Sequence, residues 1–240
     1  MSLKRRIALL SFLAAASGAL RAEPMARQVD RIINLYVSAT EAQKAELHGL
    51  SMAVSIDASL PKLKKTGKLQ ALRQISKIGE ITYRALRFDG DNTVKKDVIA
   101  RYLAAETAAR NGGGDLAINQ KNYRFCYKAM LEQDGQRVHI IELKPRKKRI
   151  GLFKGEIWID GETFLPVRES GTFVKNPSVF LRKVEFTREY EVLEGVAVPT
   201  HIASKIETRL VGAAEIDVKY SNVTRAATDQ AMTLTETARQ

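Results

Sequence analysis

From about Ile150 to Val223 the chain alternates between short runs rich in Val, Ile, Phe and Tyr and turn signals such as Asp160-Gly161, Asn176-Pro177 and Glu194-Gly195. Apolar runs punctuated in this way are what an antiparallel meander requires. Successive side chains of a strand point to opposite faces, so each run can be read for direction. In 182–192, Val184, Phe186, Tyr190 and Val192 fall on one face and Lys183, Glu185, Thr187, Glu189 and Glu191 on the other; past Arg182, which opens the run, Arg188 is the one charge on the apolar side. Ala214, Ile216, Val218 and Tyr220 oppose Glu215, Asp217 and Lys219, while Val198, Ile202 and Ile206 oppose Lys205 and Glu207. One face of the predicted sheet is therefore wet, and the other must be covered.

The preceding segments supply the cover. Between Met25 and Glu46, Val29, Ile32, Ile33, Tyr36 and Val37 recur at helical spacing, which predicts an amphipathic helix. Leu50–Leu60 alternates as a strand, with Met52, Val54, Ile56, Ala58 and Leu60 on one face, and 69–76 and 81–88 are read as two more. Asp89-Gly90-Asp91-Asn92 forms a turn able to cap a second helix over 94–110, whose stripe is Val94, Val98, Ile99, Tyr102 and Leu103. Gly112-Gly113-Gly114 ends it, and the chain returns to strands at 123–131 and 137–143. About ten strands and two amphipathic helices give a mainly β, α+β fold. A sheet of that length curls rather than closing on its own side chains. The architecture expected is a curled antiparallel sheet, or half-open β-barrel, with the two helices as a lid over the concave face.

At the amino terminus, Lys4-Arg5-Arg6 precede an apolar run over Ile7–Ala16 and a small-residue site ending at Ala22. This is the layout of a cleaved secretory signal, and the run is too short to span a bilayer. Residues 1–22 are read as that signal, 23–223 as one domain and 224–240 as a flexible tail. The formal charge of the chain is +12; removing Lys4, Arg5, Arg6 and Arg21 leaves 35 basic against 27 acidic residues, or +8. Export takes the protein away from nucleic acid, and the aromatics lie on strand faces rather than among the basic loops, so nucleic acid is not an expected partner. The single cysteine, Cys126, has no intramolecular disulfide partner and is expected to be a small, partly buried strand residue. A monomer is expected.

The order of elements, and the phrases Gly151-Leu-Phe-Lys-Gly-Glu-Ile-Trp-Ile-Asp160, Glu162-Thr-Phe-Leu-Pro-Val-Arg168, Lys183-Val-Glu-Phe186 and Gly195-Val-Ala-Val-Pro199, resemble the periplasmic lipoprotein-carrier superfamily of the LolA and LolB type, which includes sensor domains of the RseB type. The resemblance runs from about Ala26 to Asn222. It implies a half-barrel with lid helices over a cavity for acyl chains in outer-membrane lipoprotein sorting, or, in the sensor branch, a module that binds a protein partner. The cavity wall implied comprises Val54, Ile56, Phe125, Tyr127, Ile157, Ile159, Val184, Phe186, Ile202, Ile206, Ile216 and Val218 from the strands, with Ile33, Tyr36, Ile99 and Tyr102 from the helices. It also implies a lid-locking arginine, for which Arg73, Arg84 and Arg101 are the candidates. From alternation alone, the same apolar positions would line a plain core.

Lys144-Pro-Arg-Lys-Lys-Arg149 is the densest basic run, and Arg146, Lys147, Lys148 and Arg149 are read as contacts for anionic headgroups, a solvated loop being the plainer reading. Lys62–Lys68 is a second basic cluster. His48, His139 and His201 lack metal-ligand spacing, and none of the hydrolase, metalloprotease or phosphate-loop motifs occurs. The expectation is therefore a non-enzymatic binding protein without cofactor or metal. His201 is placed on the polar face beside Lys205.

Overall fold

The computed structural model describes residues 25–111, 115–133, 135–176, 181–209 and 212–225. The predicted signal and residues 226–240 of the predicted tail lie outside the described residues. Ten strands form one antiparallel sheet: β1 (Leu50–Leu60), β2 (Lys65–Ile75), β3 (Ile81–Gly90), β4 (Tyr123–Gln133), β5 (Gln136–Pro145), β6 (Phe153–Asp160), β7 (Pro166–Phe173), β8 (Leu181–Leu193), β9 (Val196–Thr208) and β10 (Ala213–Arg225). Their spatial order is β3-β2-β1-β10-β9-β8-β7-β6-β5-β4, so β3 and β4 are edges and the sheet does not close into a barrel. β10 continues to Arg225, past the boundary read at Val223.

Helix α1 (Met25–Ala42) is followed by the single turn α2 (Lys44–Leu47). The second lid helix is one helical stretch in three parts: α3 (Asn92–Val94), a π-wound turn (Lys95–Ile99) and α4 (Ala100–Asn111). Asp91 caps it, its Oδ1 accepting from the Thr93 and Val94 amides at 2.7 and 3.4 Å, which satisfies donors that the first turn leaves unpaired.

Each helix covers one half of the sheet, and two hydrophobic cores result. Val29, Ile32, Ile33 and Tyr36 of α1 pack with Tyr123, Ile141, Leu143, Ile157 and Ile159 on the β4–β6 side. Val94, Val98 and Ile99 pack with Met52, Val54, Ile56, Leu69, Ile216 and Val218 on the β1–β2–β10 side. Burial of an aliphatic side chain of this size stabilises by about 1.5–3 kcal/mol. β8 lies at the seam between the halves.

Two glycines let the sheet close up near that seam. Gly155 of β6 and Gly171 of β7 are direct partners. A Cβ on Gly155 would run into the Ser170 carbonyl, and one on Gly171 into the Lys154 carbonyl and the Phe153 ring. Gly171 in turn pairs with Phe186. The Phe186 ring sits edge-on to Phe153, at 4.9 Å between centroids, and stacks on Phe173 at 5.0 Å.

Candidate functional site

The strand registers define one continuous line of side chains across the covered face. Phe88, Leu69, Ile56, Val218, Ile202, Arg188, Glu169, Ile157, Ile141 and Tyr127 follow one another as partners, one from each strand. All are apolar or aromatic except the two at the middle. Arg188 Nη1 donates to Glu169 Oε2 at 3.0 Å and to the Tyr190 hydroxyl at 3.3 Å, and its guanidinium lies 5.7 Å from the centroid of the Phe186 ring. The Glu169 side chain is 8% exposed, that of Arg188 31%. Burial works against the guanidinium's charge, but Tyr190 and Glu169 outweigh it and raise its pKa, so an ion pair interrupts the apolar line.

A second buried pair stands on the other side of the seam. Arg73 of β2 is 3% exposed. Its Nη2 donates to Glu106 Oε1 of α4 at 3.2 Å, and its Nη1 lies 3.6 Å from the Met52 sulfur. The Tyr83 hydroxyl donates to the other Glu106 oxygen, and the Arg73 guanidinium lies over the Tyr220 ring. Of the three candidate lid-locking arginines, Arg73 alone holds a lid helix from beneath. Arg84 is exposed on edge strand β3, and Arg101 pairs with Asp97 on its own helix at 3.0 Å. Buried tyrosines feel these charges: the Tyr36 hydroxyl is pushed up by burial and then by Glu169, and that of Tyr102 by burial and then by Tyr220.

Every residue implied for the cavity wall is buried or half-buried under this cover, but in two groups rather than one. Val54, Ile56, Ile99, Tyr102, Ile202, Ile206, Ile216 and Val218 belong to one core, and Ile33, Tyr36, Phe125, Tyr127, Ile157, Ile159 and Phe186 to the other. Val184 is buried outside both. A groove of about 730 Å3 is lined by outward residues such as Asp57, Lys68, Glu185, Lys205, Glu215 and Asp217, with Ala58, Phe186, Ala203 and Ile216 also lining it.

The basic run divides by role. Arg146 Nε donates to the Gln120 and Tyr123 carbonyls at 2.8 and 3.0 Å. Arg149 Nη2 donates to the Asp115 carbonyl at 2.8 Å and to Asn122 Oδ1 at 2.6 Å. These two arginines fasten the 115–122 connection to the sheet. Lys147 and Lys148 face outward with no hydrogen bond or ion pair among the described residues. They lie at the same end of the sheet as the exposed Lys62 and Lys64, because β1 and β5 end on one side, and Leu63 and Ile150 are 45% and 47% exposed there.

Two other readings are settled by position. Cys126 is exposed, not partly buried: edge strand β4 has no neighbour beyond it, and the residue lies on the outer side. His201 does lie on the polar face, where its Nε2 is 2.6 Å from Asp217 Oδ2 and its Nδ1 3.5 Å from Glu189 Oε2, with Lys219 as its strand partner. The hydrogen bond to Asp217 raises its pKa against desolvation. A raised folded-state pKa means that the protonated ring stabilises the fold below the unfolded value of about 6.5, and that this contribution disappears as pH climbs through the higher folded value. His201→Asn should therefore lower the thermal midpoint at pH 5.5 and leave it nearly unchanged at pH 9, as thermal unfolding in the two buffers would show. Among the described residues no group of His, Cys, Asp and Glu is arranged to hold a metal.

Glu169 and Glu106 were hidden from the sequence pattern. Pro166–Phe173 has no apolar alternation to mark its inner face, and Glu106 sits in a helix of weak amphipathicity. The one legible signal was Arg188 itself, a charge on an apolar face that requires a partner.

No family model matches the chain, and no curated protein matches its sequence. Among solved structures it is similar to a DUF1329 family protein from Desulfovibrio piger, at 14% identity over 84% of this chain and 95% of that one, with a TM-score of 0.45. It is also similar to an outer membrane lipoprotein-sorting protein domain from Vibrio parahaemolyticus, at 12% identity over 83% and 92% and a TM-score of 0.42. A third is a LolA superfamily protein from Nitrosomonas europaea, at 13% identity over 83% and 96% and a TM-score of 0.39.

Proposed function

We propose that this protein is an exported, non-enzymatic carrier or binding protein for the acyl chains of lipids or lipoproteins, working in the periplasm. The observation that carries this reading is the line of partners across ten strands, apolar on either side of the Arg188–Glu169 pair and covered by two separate helices rather than by a second sheet. Helices tied down at few polar points can lift. Gln43 Oε1 accepts from the Ala197 amide beside α1, and Arg73 and Tyr83 hold Glu106 in α4. Acyl chains entering beneath would replace the helix contacts at ~0.8 kcal/mol per buried methylene. The exposed Lys62, Lys64, Lys147 and Lys148, with Leu63 and Ile150 beside them, would meet anionic headgroups at the membrane from which a chain is taken.

Uptake of a fluorescent fatty-acyl probe tests the reading. Wild type is expected to bind it, and Phe186→Glu, which removes the ring packed on Phe153 and Phe173 and sets a carboxylate in its place, to lose at least tenfold in affinity, as a buried carboxylate is costly among apolar groups even with Arg188 close by. A wild type that takes up no probe would instead favour the second reading, a module that binds a protein partner. What favours that reading is the covered state of the inner face, whose two cores are filled by the chain's own helices.

A further inference from the structure

The ion pair at the centre of the covered face has no evident purpose for a plain core. Completing the line with two aliphatic residues would avoid the desolvation of both charges, and such replacements of buried pairs are often neutral or stabilising. The pair is also incompletely used. Both hydrogen bonds donated by Arg188 leave from Nη1, and no acceptor for Nε or Nη2 stands among the described residues. Yet the side chain is 31% accessible although it points to the covered face. It is therefore a guanidinium with spare donors and partial access, flanked on both sides by apolar residues.

We propose that Arg188 receives the ester or amide carbonyl of an acylated ligand, so that the site takes acyl groups at their linkage rather than plain hydrocarbon. The proposal rests on the reading of the covered face as an acyl site and names the chemistry at its centre. Glu169 decides which oxygen is accepted. It already neutralises Arg188, so a neutral carbonyl adds a hydrogen bond at no charge cost, whereas a carboxylate or phosphate would be set against the Glu169 carboxylate. The apolar residues on either side of the pair, Ile202 and Ile157 nearest, then receive the chain.

The test compares methyl pyrenedecanoate with decylpyrene, which share ring and chain and differ in the ester, presented to the full folded protein from phosphatidylcholine vesicles. Relative to its partition into the vesicles, the ester is expected to bind roughly tenfold more tightly than the hydrocarbon, the effect of one hydrogen bond to a charged group. In Glu169→Leu/Arg188→Leu, and in the more isosteric Glu169→Gln/Arg188→Met, that advantage should vanish while decylpyrene binding stays. Free pyrenedecanoic acid should gain no advantage over the ester in wild type. Equal binding of ester and hydrocarbon by the wild type, or an advantage that survives in a folded double variant, overturns the proposal. Failure of the wild type to bind either probe overturns the acyl-site reading itself, and this proposal with it.

Discussion

Replacing Arg188 alone with leucine is expected to cost about 3 kcal/mol of folding stability, and adding Glu169→Leu to return most of it. The single variant leaves the Glu169 carboxylate, 8% exposed, without its cation, and breaking a buried pair by removing one partner costs about 3–5 kcal/mol. The low end applies because the Arg188 side chain retains some access to solvent and Tyr190 remains nearby as a polar neighbour. In the double variant the two leucines complete an apolar line between Ile202 and Ile157, so the desolvation penalty disappears together with the attraction. Urea denaturation of wild type, both single variants and the double variant closes the cycle. A coupling between the sites near zero would mean that the pair does not act as a unit, and would also remove the footing of the carbonyl site.

The second large effect is expected at Gly171. Gly171→Val should destabilise the protein by at least about 3 kcal/mol, above the usual range for added core volume, because what the new side chain meets is the Lys154 carbonyl rather than the flexible end of a side chain. It would also displace the Phe153 ring, which Phe186 meets edge-on. Gly155→Val should behave alike, since its Cβ falls on the Ser170 carbonyl. Gly135, at a positive φ of 78° but with no neighbour near its missing Cβ, is the control: Gly135→Asn, a residue tolerant of that backbone region, should cost little. Thermal unfolding of the three variants distinguishes close strand approach from a general intolerance of glycine replacement.

Much of this was legible in the sequence because the sheet is covered on one face. Alternation placed Val54, Ile56, Ile202, Ile216 and Val218 together, and the structure buries them in one core. The strands of β8 to β10 fell where the turn signals put them. What alternation could not reveal was partition. A period of two states which side is covered but not by what, so the division of the face into an α1 half and an α4 half waited on the structure. The basic run misled in another way, since sequence counts charges without counting partners: Arg146 and Arg149 spend theirs on carbonyls of the 115–122 connection. Strand ends blurred further positions. The register of β8 against β9 shifts at Thr200, and Val192, counted on the apolar side, lies 42% exposed at the end of β8, where 191–195 are exposed on both faces.

The central claim, that the covered apolar face exists to accept acyl chains, is tested most directly by native mass spectrometry of the protein produced from its full sequence in a Gram-negative host and purified without detergent, with organic extraction of whatever it carries. The prediction is a population heavier than the bare chain by the mass of an acylated lipid or lipoprotein fragment, lost in Phe186→Glu with the fold retained by circular dichroism. A single bare mass, from protein that also takes up no acyl probe, would contradict it.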